Sequence, residues 1–480
     1  MPAPYRERTY IFKADGCQLE TTIVEKAGEP SHGSVILLHG ISANKKIMSY
    51  MARGFAGEGL RVYVPDLPGH GRTPGPFSPA RAELCTEALL RELEGRGLVS
   101  PERTILAGHS MGGAIAERVA SRNPVAGLIA ISPAPMKAAH GLTAEKLLFG
   151  DAPRLPANAL LLAGTLEVES LRENAADLVA ARGDGTSEYQ EVRGASHASI
   201  LFSSAMMKAA EDWAAKVLHF VPEEEVKPSH LPVVGALAGF VGIVLIAGPF
   251  LREASGKKKD ALVAETGHGA GVAWLLAQVA TGSVLAVLLL RFGIPLKAIR
   301  LFQGDYLASF LLVLGVLLLL ANWKIVQRAV AEASWSVLGP AFASVVLLLL
   351  ATTWFDLTFY EAWMTAARWA RFPFLVLAML PYHVGEEALL GPVEAGKGGR
   401  RLTLALTLRL LSWGALAGGI FLLHSGEILM VLLEVYMAIF NVIQRAGMDL
   451  VRWETGSAAA AGLFGAILCA GFCLVIFPLT

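Results

Sequence analysis

The stretch GHSMGG, residues 108–113, has the form G-x-S-x-G and places Ser110 between the apolar run RTILA and the helical pattern AIAERVA. This context predicts a sharp turn from a strand into a helix, because glycines leave room where side chains beside the serine would collide. The Ser110 hydroxyl would then project at a sheet end and a helix N-terminus, where backbone N–H groups can stabilise developing negative charge. The motif therefore indicates nucleophilic chemistry on Ser110.

The elements that must position Ser110 belong to an alternating pattern in the first half of the chain. Short, nearly continuous apolar runs are separated by amphipathic helical patterns, which is typical of a parallel sheet covered by helices on both faces. We expect an α/β domain over residues 1–221, followed by a linker at 222–230. The apolar runs are SVILLHG, RVYVPD, RTILAGH, GLIAIS and NALLLAG.

The second half of the chain has a different composition. The protein has 480 residues, of which 54% are apolar and 17% are charged, a balance shifted away from soluble enzymes. Segments near 20 residues with few charges recur, and such a length crosses ~30 Å of hydrocarbon as a helix. We therefore predict an all-α, multi-pass transmembrane domain at 231–480, with about eight helices. The predicted spans are 231–250, 271–290, 305–323, 335–355, 372–391, 402–423, 427–444 and 458–478.

Charge and cysteine usage limit the partners and the compartment. Lys plus Arg and Asp plus Glu both total 41, so the net charge does not indicate a nucleic-acid partner. No cofactor or metal is expected. Cys17 and Cys85 lie in the polar half and Cys469 and Cys473 in an apolar run, a distribution that suggests unpaired thiols rather than a disulfide framework. These thiols and the absence of a signal-peptide pattern favour a catalytic domain on the cytoplasmic face. The Lys and Arg distribution on the short connections favours the opposite face.

Four motifs follow one another in the first half: LLHG (37–40), DLPGHGRT (66–73), GHSMGG (108–113) and GASH (194–197). In these motifs and their order, residues 1 to about 220 resemble the α/β-hydrolase superfamily, in particular its lysophospholipase, monoacylglycerol lipase and serine aminopeptidase-like branch. The resemblance implies an α/β-hydrolase fold and hydrolysis through an activated serine.

The resemblance implies a catalytic triad. By position, the nucleophile falls on Ser110 and the general base on His197, which follows the predicted strand SEYQEV. The family commonly has an aspartate after the strand that here reads NALLLAG, whereas this chain has Glu167 in GTLEVES. A glutamate can also orient an imidazole and stabilise its cation, so Glu167 is the expected third member. Glu169 and Asp177 are the alternatives.

The same resemblance implies an oxyanion hole formed by the backbone N–H groups of Met111 and Ile41. Preplaced donors of this kind stabilise a tetrahedral intermediate by about 3 kcal/mol each. His39, in the HG turn, and His109, beside the serine, are interpreted as residues that structure their loops.

Only 23 residues, 135–157, separate the strand GLIAISPA from NALLLAG, where relatives often insert a helical cap. We therefore expect a small cap. An active site with little lid could be covered by the membrane helices or face the bilayer, which favours an acyl substrate delivered from lipid.

Ionisable residues interrupt the predicted spans, where a charge is costly and therefore a candidate for function. His383, Glu386 and Glu387 stand at i, i+3 and i+4, hence on one helical face. Arg409 interrupts LTLALTLRLLSW and Glu434 interrupts ILMVLLEVYMAIF. Arg409 would be neutralised by a glutamate, either Glu434 or Glu386.

These intramembrane residues allow three interpretations. They form a buried ion pair that fixes helix packing, a polar cavity for a lipid head group, or a metal or peptidase site. The glutamate pair is similar to the start of the EExxxR motif of CAAX-type proteases, but the expected arginine is missing. Aromatic residues between the fourth and fifth spans, among them Tyr360, are typical of an interfacial belt.

Together these patterns predict a membrane-embedded serine hydrolase that cleaves an ester, most simply a lipid acyl ester, through an acyl-enzyme on Ser110. A peptidase or a thioesterase with the same triad is the enzymatic alternative, because the motifs define acyl transfer but not the leaving group. A transporter or receptor with a regulatory hydrolase-fold domain is the other alternative. The sequence gives no oligomeric state.

Overall fold

A computed structural model describes residues 5–28, 30–135, 154–222, 229–255, 271–292, 298–324, 327, 337–394, 396–423 and 434–480. The chain divides into two compact units. The α/β unit contains Met1–Ala236, Phe355–Ala362 and Pro478–Thr480, and the helical unit contains Leu237–Trp354 and Trp363–Phe477. The α/β unit thus includes three short segments of the predicted transmembrane domain: 231–236, 355–362 and 478–480.

One eight-stranded sheet forms the centre of the α/β unit, in the order β1-β2-β4-β3-β5-β6-β7-β8. Strands β1, β2 and β4 pair antiparallel, and all the other pairings are parallel. Every residue of β3, β5, β6 and β7 is buried, as expected for strands covered on both faces. The strands are β1 (Tyr5–Ala14), β2 (Cys17–Lys26), β3 (Gly33–Leu38), β4 (Leu60–Pro65), β5 (Thr104–His109), β6 (Gly127–Ile131), β7 (Ala159–Gly164) and β8 (Ser187–Val192).

Five helices accompany this sheet, and their ends follow from local sequence. The Ser78 side chain accepts a hydrogen bond from the Arg81 N–H, and Pro79 follows Ser78. The serine cap and the proline together begin the second helix. Ser203 caps the fifth helix in the same way. The α/β prediction is confirmed. The helices are α1 (Ser49–Gly57), α2 (Pro79–Gly95), α3 (Met111–Ala120), α4 (Glu169–Arg182) and α5 (Ser204–Leu218).

One apolar core of the α/β unit lies between the sheet and its helices. Fully buried side chains of β3, β6 and β7 pack there with Phe55 of α1 and Trp213 of α5. This core fixes the strand ends from which the candidate catalytic loops emerge.

A disulfide joins Cys17, the first residue of β2, to Cys85 on the buried side of α2. The two Cα atoms lie 5.4 Å apart, and the bond closes a loop of 68 residues. The prediction that these two cysteines are unpaired is therefore wrong. The pairing depends on the packing of α2 against β1 and β2, a long-range contact that cysteine spacing does not reveal. Cys469 and Cys473 are free and buried.

The helical unit confirms the all-α prediction for the second half. Of the helices in the described residues, six are long and apolar enough to cross a membrane, fewer than the eight predicted crossings. The predicted fifth span lies within α10, and the described part of the predicted seventh span, 434–444, lies in α12; neither helix is among these six. The helices are α6 (Leu231–Ser255), α7 (Val272–Phe292), α8 (Gly304–Ala321), α9 (Leu338–Thr358), α10 (Ala366–Leu390), α11 (Gly398–Leu422), α12 (Glu434–Thr455) and α13 (Ala458–Ile476).

Candidate active site

Ser110 occupies the turn between β5 and α3. Its φ of 53° and ψ of −119° lie in a region that non-glycine residues rarely adopt, which is the strained turn that the motif predicts. A Cβ on Gly112 would lie 2.5 Å from the Leu38 carbonyl oxygen, so this position excludes any larger residue. The sharp turn and the glycine together hold the Ser110 hydroxyl at the carboxyl end of β5.

His197 reaches Ser110 from the loop that follows β8. Its Nε2 lies 3.0 Å from Ser110 Oγ, and its Nδ1 lies 3.0 and 2.9 Å from the two carboxylate oxygens of Glu167. Glu167 follows β7 and is buried, whereas the imidazole is partly exposed. In this series the Nδ1–H donates to Glu167, which leaves Nε2 free to accept the Ser110 proton.

The two alternative carboxylates lie elsewhere on α4. Glu169 is its first residue and is exposed, and Asp177 is half-buried further along the helix. Glu167 is the carboxylate that bonds to the imidazole of His197.

The residues predicted to form the oxyanion hole belong to two neighbouring segments. Met111 is the first residue of α3, where an N–H group has no intrahelical acceptor and points out of the positive end of the helix. Ile41 follows Gly40, and a Cβ on Gly40 would lie 3.2 Å from the Cβ of Ser110. The loop that carries Ile41 therefore approaches the serine closely.

His39 and His109 fix the loops around the serine. His39 donates from Nδ1 to the Gly40 carbonyl at 2.8 Å and accepts the Leu67 N–H at Nε2. His109 donates from Nε2 to the His197 carbonyl at 2.8 Å and so anchors the loop of the candidate base. Burial lowers the pKa of His39, and it lowers the pKa of His109 to about 3, so both rings stay neutral.

A buried cluster of charges, which sequence reasoning missed, adjoins this site. The Lys45 ammonium lies 2.5 Å from Asp66, 2.6 Å from Glu361 and 3.0 Å from Glu20. The three carboxylates are close enough together to suggest a metal site. However, the Lys45 ammonium contacts all three of them, so a protein cation already lies between these carboxylates.

The pKa values of two acids in this cluster, Asp66 and Glu361, shift in opposite directions. Burial alone would raise the pKa of Asp66, but Lys45 and a hydrogen bond from Glu361 lower it below the ordinary value. Burial and the neighbouring Asp66 raise the pKa of Glu361 to about 8. At neutral pH Asp66 is therefore ionised and Glu361 carries a proton.

The structure brings together four of the five predicted intramembrane residues. Arg409 binds Glu386 through two hydrogen bonds of 2.7 Å, as one of the two predicted pairings required. His383 accepts at Nε2 a hydrogen bond from the amide nitrogen of Gln444, whose amide oxygen accepts one from Arg409. Glu434 begins α12, and its side chain lies outside the described residues.

Three further charged residues complete the network, and sequence reasoning missed all of them. Arg445 of α12 bonds both Glu386 and Glu387, while Arg401 of α11 bonds Glu387. Asp449, one turn after Arg445, bonds both Arg445 and Arg401. Three arginines thus face three carboxylates, which favours the interpretation of ion pairs that fix helix packing.

Comparison with family models shows that residues 35–221 match the Alpha/beta hydrolase family. The matched range contains Ser110, Glu167 and His197 and ends before α6. This half of the chain is therefore an alpha/beta hydrolase family domain.

The curated relatives are hydrolases by name. The pimeloyl-[acyl-carrier protein] methyl ester esterase of Sodalis glossinidius is 34% identical over 109 residues, which are 22% of this chain and 39% of that protein. The lipase LipV of Mycobacterium tuberculosis is 31% identical over 115 residues, 23% of this chain and 41% of that protein. The monoglyceride lipase of Homo sapiens is 28% identical over 149 residues, 30% and 49% of the two chains. The chain thus spans less than half the length of these relatives, which support a hydrolase function.

Among solved structures, an alpha-beta serine hydrolase homologue from Coxiella burnetii matches with a TM-score of 0.36 and 20% identity. The match covers 44% of this chain and 96% of that one.

Proposed function

We propose that the alpha/beta hydrolase family domain of this chain cleaves an ester through an acyl-enzyme on Ser110. The observation that carries the proposal is the continuous hydrogen-bonded series from Glu167 through His197 to Ser110. A structural role for these residues would not require the rare backbone conformation at Ser110, which costs about 1–3 kcal/mol.

In the proposed reaction, His197 Nε2 removes the Ser110 proton as Oγ attacks the carbonyl carbon of the ester. The resulting oxyanion accepts hydrogen bonds from the N–H groups of Met111 and Ile41. Glu167 stabilises the imidazolium, which then protonates the departing alkoxide and leaves the acyl group on Ser110. Water, activated by the same imidazole, releases the acid and restores the serine.

The proposed substrate is a lipid acyl ester. Six helices of the chain are apolar enough to cross a membrane, which supports a substrate that partitions into lipid. The names of the lipases among the curated relatives agree with this class, although each match covers only part of those proteins. The predicted small cap at 135–157 lies largely outside the described residues and adds no support.

The cytoplasmic location predicted for the catalytic domain depended partly on unpaired cysteines. The Cys17–Cys85 disulfide removes that support, because disulfides persist mainly in oxidising compartments. The distribution of Lys and Arg on the connections also favours the other face. The proposal therefore includes a catalytic domain on the non-cytoplasmic side.

A fluorophosphonate probe, which reacts covalently with an activated serine, tests the proposal on the full chain in detergent. The wild type should be labelled and Ser110→Ala should not. Ser121→Ala, at the C-terminal end of α3, is the matched control and should be labelled like the wild type. Undiminished labelling of Ser110→Ala would refute the assignment of the nucleophile.

A second measurement separates the enzymatic alternatives. An oxygen ester, a thioester and an anilide with the same acyl chain should be hydrolysed fastest as the oxygen ester. Faster cleavage of the anilide or thioester would replace the esterase proposal by the peptidase or thioesterase alternative. Absence of both labelling and hydrolysis would favour a regulatory domain of a transporter or receptor.

A further inference from the structure

The segment 355–362 belongs to the α/β unit, although it follows the family-matched region by more than 130 residues. It contacts the loop 40–45, which carries the proposed oxyanion donor Ile41. Tyr360 donates a hydrogen bond of 2.8 Å from its hydroxyl to the Ser42 carbonyl. This bond joins the segment to the residue directly after the proposed donor.

A second set of contacts lies at the other end of the loop. The Asn44 side chain donates to the Glu361 carbonyl oxygen at 3.4 Å, across 317 positions of the chain. The Lys45 ammonium binds the Glu361 carboxyl group, and the Lys45 N–H donates to Asp66. The segment therefore contacts the loop at three positions, Ser42, Asn44 and Lys45.

The loop needs such support because its conformation is strained. Ser42 has a φ of 58°, in the left-handed region that non-glycine residues rarely adopt. A residue in this region keeps its conformation only where its surroundings hold it. The Ile41 N–H belongs to the same peptide as the Gly40 carbonyl, which accepts a hydrogen bond from the Ala43 N–H, so contacts that hold Ser42 and Asn44 also restrict the direction of the Ile41 N–H.

We infer that Tyr360 and Glu361 are positioning residues, which hold the loop 40–45 so that the Ile41 N–H points at the oxyanion. The inference depends on the proposed function, because it assigns a task within that same site. Neither residue contacts the reacting atoms. Their effect is on the stabilisation of the transition state rather than on substrate binding.

Tyr360→Phe in the full chain tests the inference, because it removes only the hydroxyl. We expect kcat for a short p-nitrophenyl ester to fall about fivefold, with KM changed less than twofold. Inhibition by a trifluoromethyl ketone, which forms a tetrahedral oxyanion on the serine, should weaken by the same factor. A residue that only stabilised the fold would lower the fraction of enzyme titrated by fluorophosphonate and leave kcat per titrated site unchanged.

Glu361 provides a second variant and Asp356 a matched control. Glu361→Ala removes the carboxyl contact to Lys45 and should lower kcat per titrated site, whereas Glu361→Gln keeps an acceptor and should restore most of it. Asp356 lies in the same segment but binds Arg72 at 2.9 Å, so Asp356→Asn should retain the wild-type kcat. Two results would overturn the inference: a kcat in Tyr360→Phe within experimental error of the wild type, or an equal loss in Asp356→Asn. Activity that persists in Ser110→Ala would instead refute the proposed function itself.

Discussion

Glu167 presents both carboxylate oxygens to Nδ1 of His197, at 3.0 and 2.9 Å. If this pair orients the base, Glu167→Gln should lower kcat for a short ester by about 10³- to 10⁴-fold, because an amide can hold the imidazole in the wrong tautomer. KM should change little. Steady-state kinetics, normalised to the fluorophosphonate-titrated fraction, would measure the effect.

The neighbouring Glu169 is the matched control for this prediction. It is exposed, two residues along the same segment, so Glu169→Gln should leave kcat near the wild-type value. A large loss in Glu169→Gln together with a small loss in Glu167→Gln would reassign the third member of the triad.

The disulfide should make the stability of the α/β unit depend on reductant. Cross-linking across a loop of 68 residues contributes about 2–5 kcal/mol, so reduction should lower the Tm of the wild type by several degrees. The Cys17→Ala/Cys85→Ala variant should have the lower Tm with or without reductant. Alkylation of protein denatured without reductant should modify two of the four cysteines, and modification of all four would contradict the bond.

Glu117 of α3 should lower stability as the pH rises. Its side chain is buried, neither carboxylate oxygen has a hydrogen-bond partner among the described residues, and burial raises its pKa to about 8. Between about pH 4.5 and 8 the unfolded chain releases a proton that the folded chain retains, so the free energy of unfolding falls as the pH rises. The Tm of Glu117→Gln relative to the wild type should therefore increase from pH 5 to pH 8.

Glu117→Met checks the cause, because it also lacks a titratable carboxyl group. Its Tm relative to the wild type should show the same dependence on pH. A Tm difference between wild type and Glu117→Gln that stays constant from pH 5 to pH 8 would show that the carboxyl group does not titrate as predicted.

Arg401 and Arg400 offer a matched pair in the helical unit. Arg401 is buried and bonds Glu387 and Asp449, whereas Arg400 is exposed. Arg401→Met would leave three carboxylates facing only two arginines, Arg409 and Arg445, and should lower stability by about 3–5 kcal/mol. Arg400→Met should leave the Tm in detergent unchanged. Equal effects of the two variants would argue against the buried network, and adding Glu387→Gln to Arg401→Met should recover part of the loss.

The candidate site was predictable to the extent that its signals are local. Ser110, Glu167 and His197 each follow a strand closely, and parallel strands bring their carboxyl ends to one edge of a sheet. Short apolar runs and glycines are sufficient to identify such positions. Of the three nearby carboxylates, Glu167 is the one that bonds to the imidazole, and this contact depends on side-chain direction rather than on spacing.

The contacts that the sequence did not reveal join residues far apart in the chain. Tyr360 was interpreted as part of an interfacial belt because it lies among aromatic residues beside an apolar span. The hydrogen bond from Tyr360 to Ser42 forms because the chain comes back to the α/β unit after several helices. Hydrophobic periodicity does not predict such a long-range contact. The Cys17–Cys85 bond escaped prediction for the same reason.

The network of arginines and carboxylates joins helices that are synthesised one after another. Helix α10, which carries Glu386 and Glu387, is synthesised before α11 and α12, which supply the arginines. Helix α10 therefore gains the counter-charges of its two glutamates only once both later helices have been synthesised. The buried network is therefore complete only when α12, the last of the three, has packed against the other two.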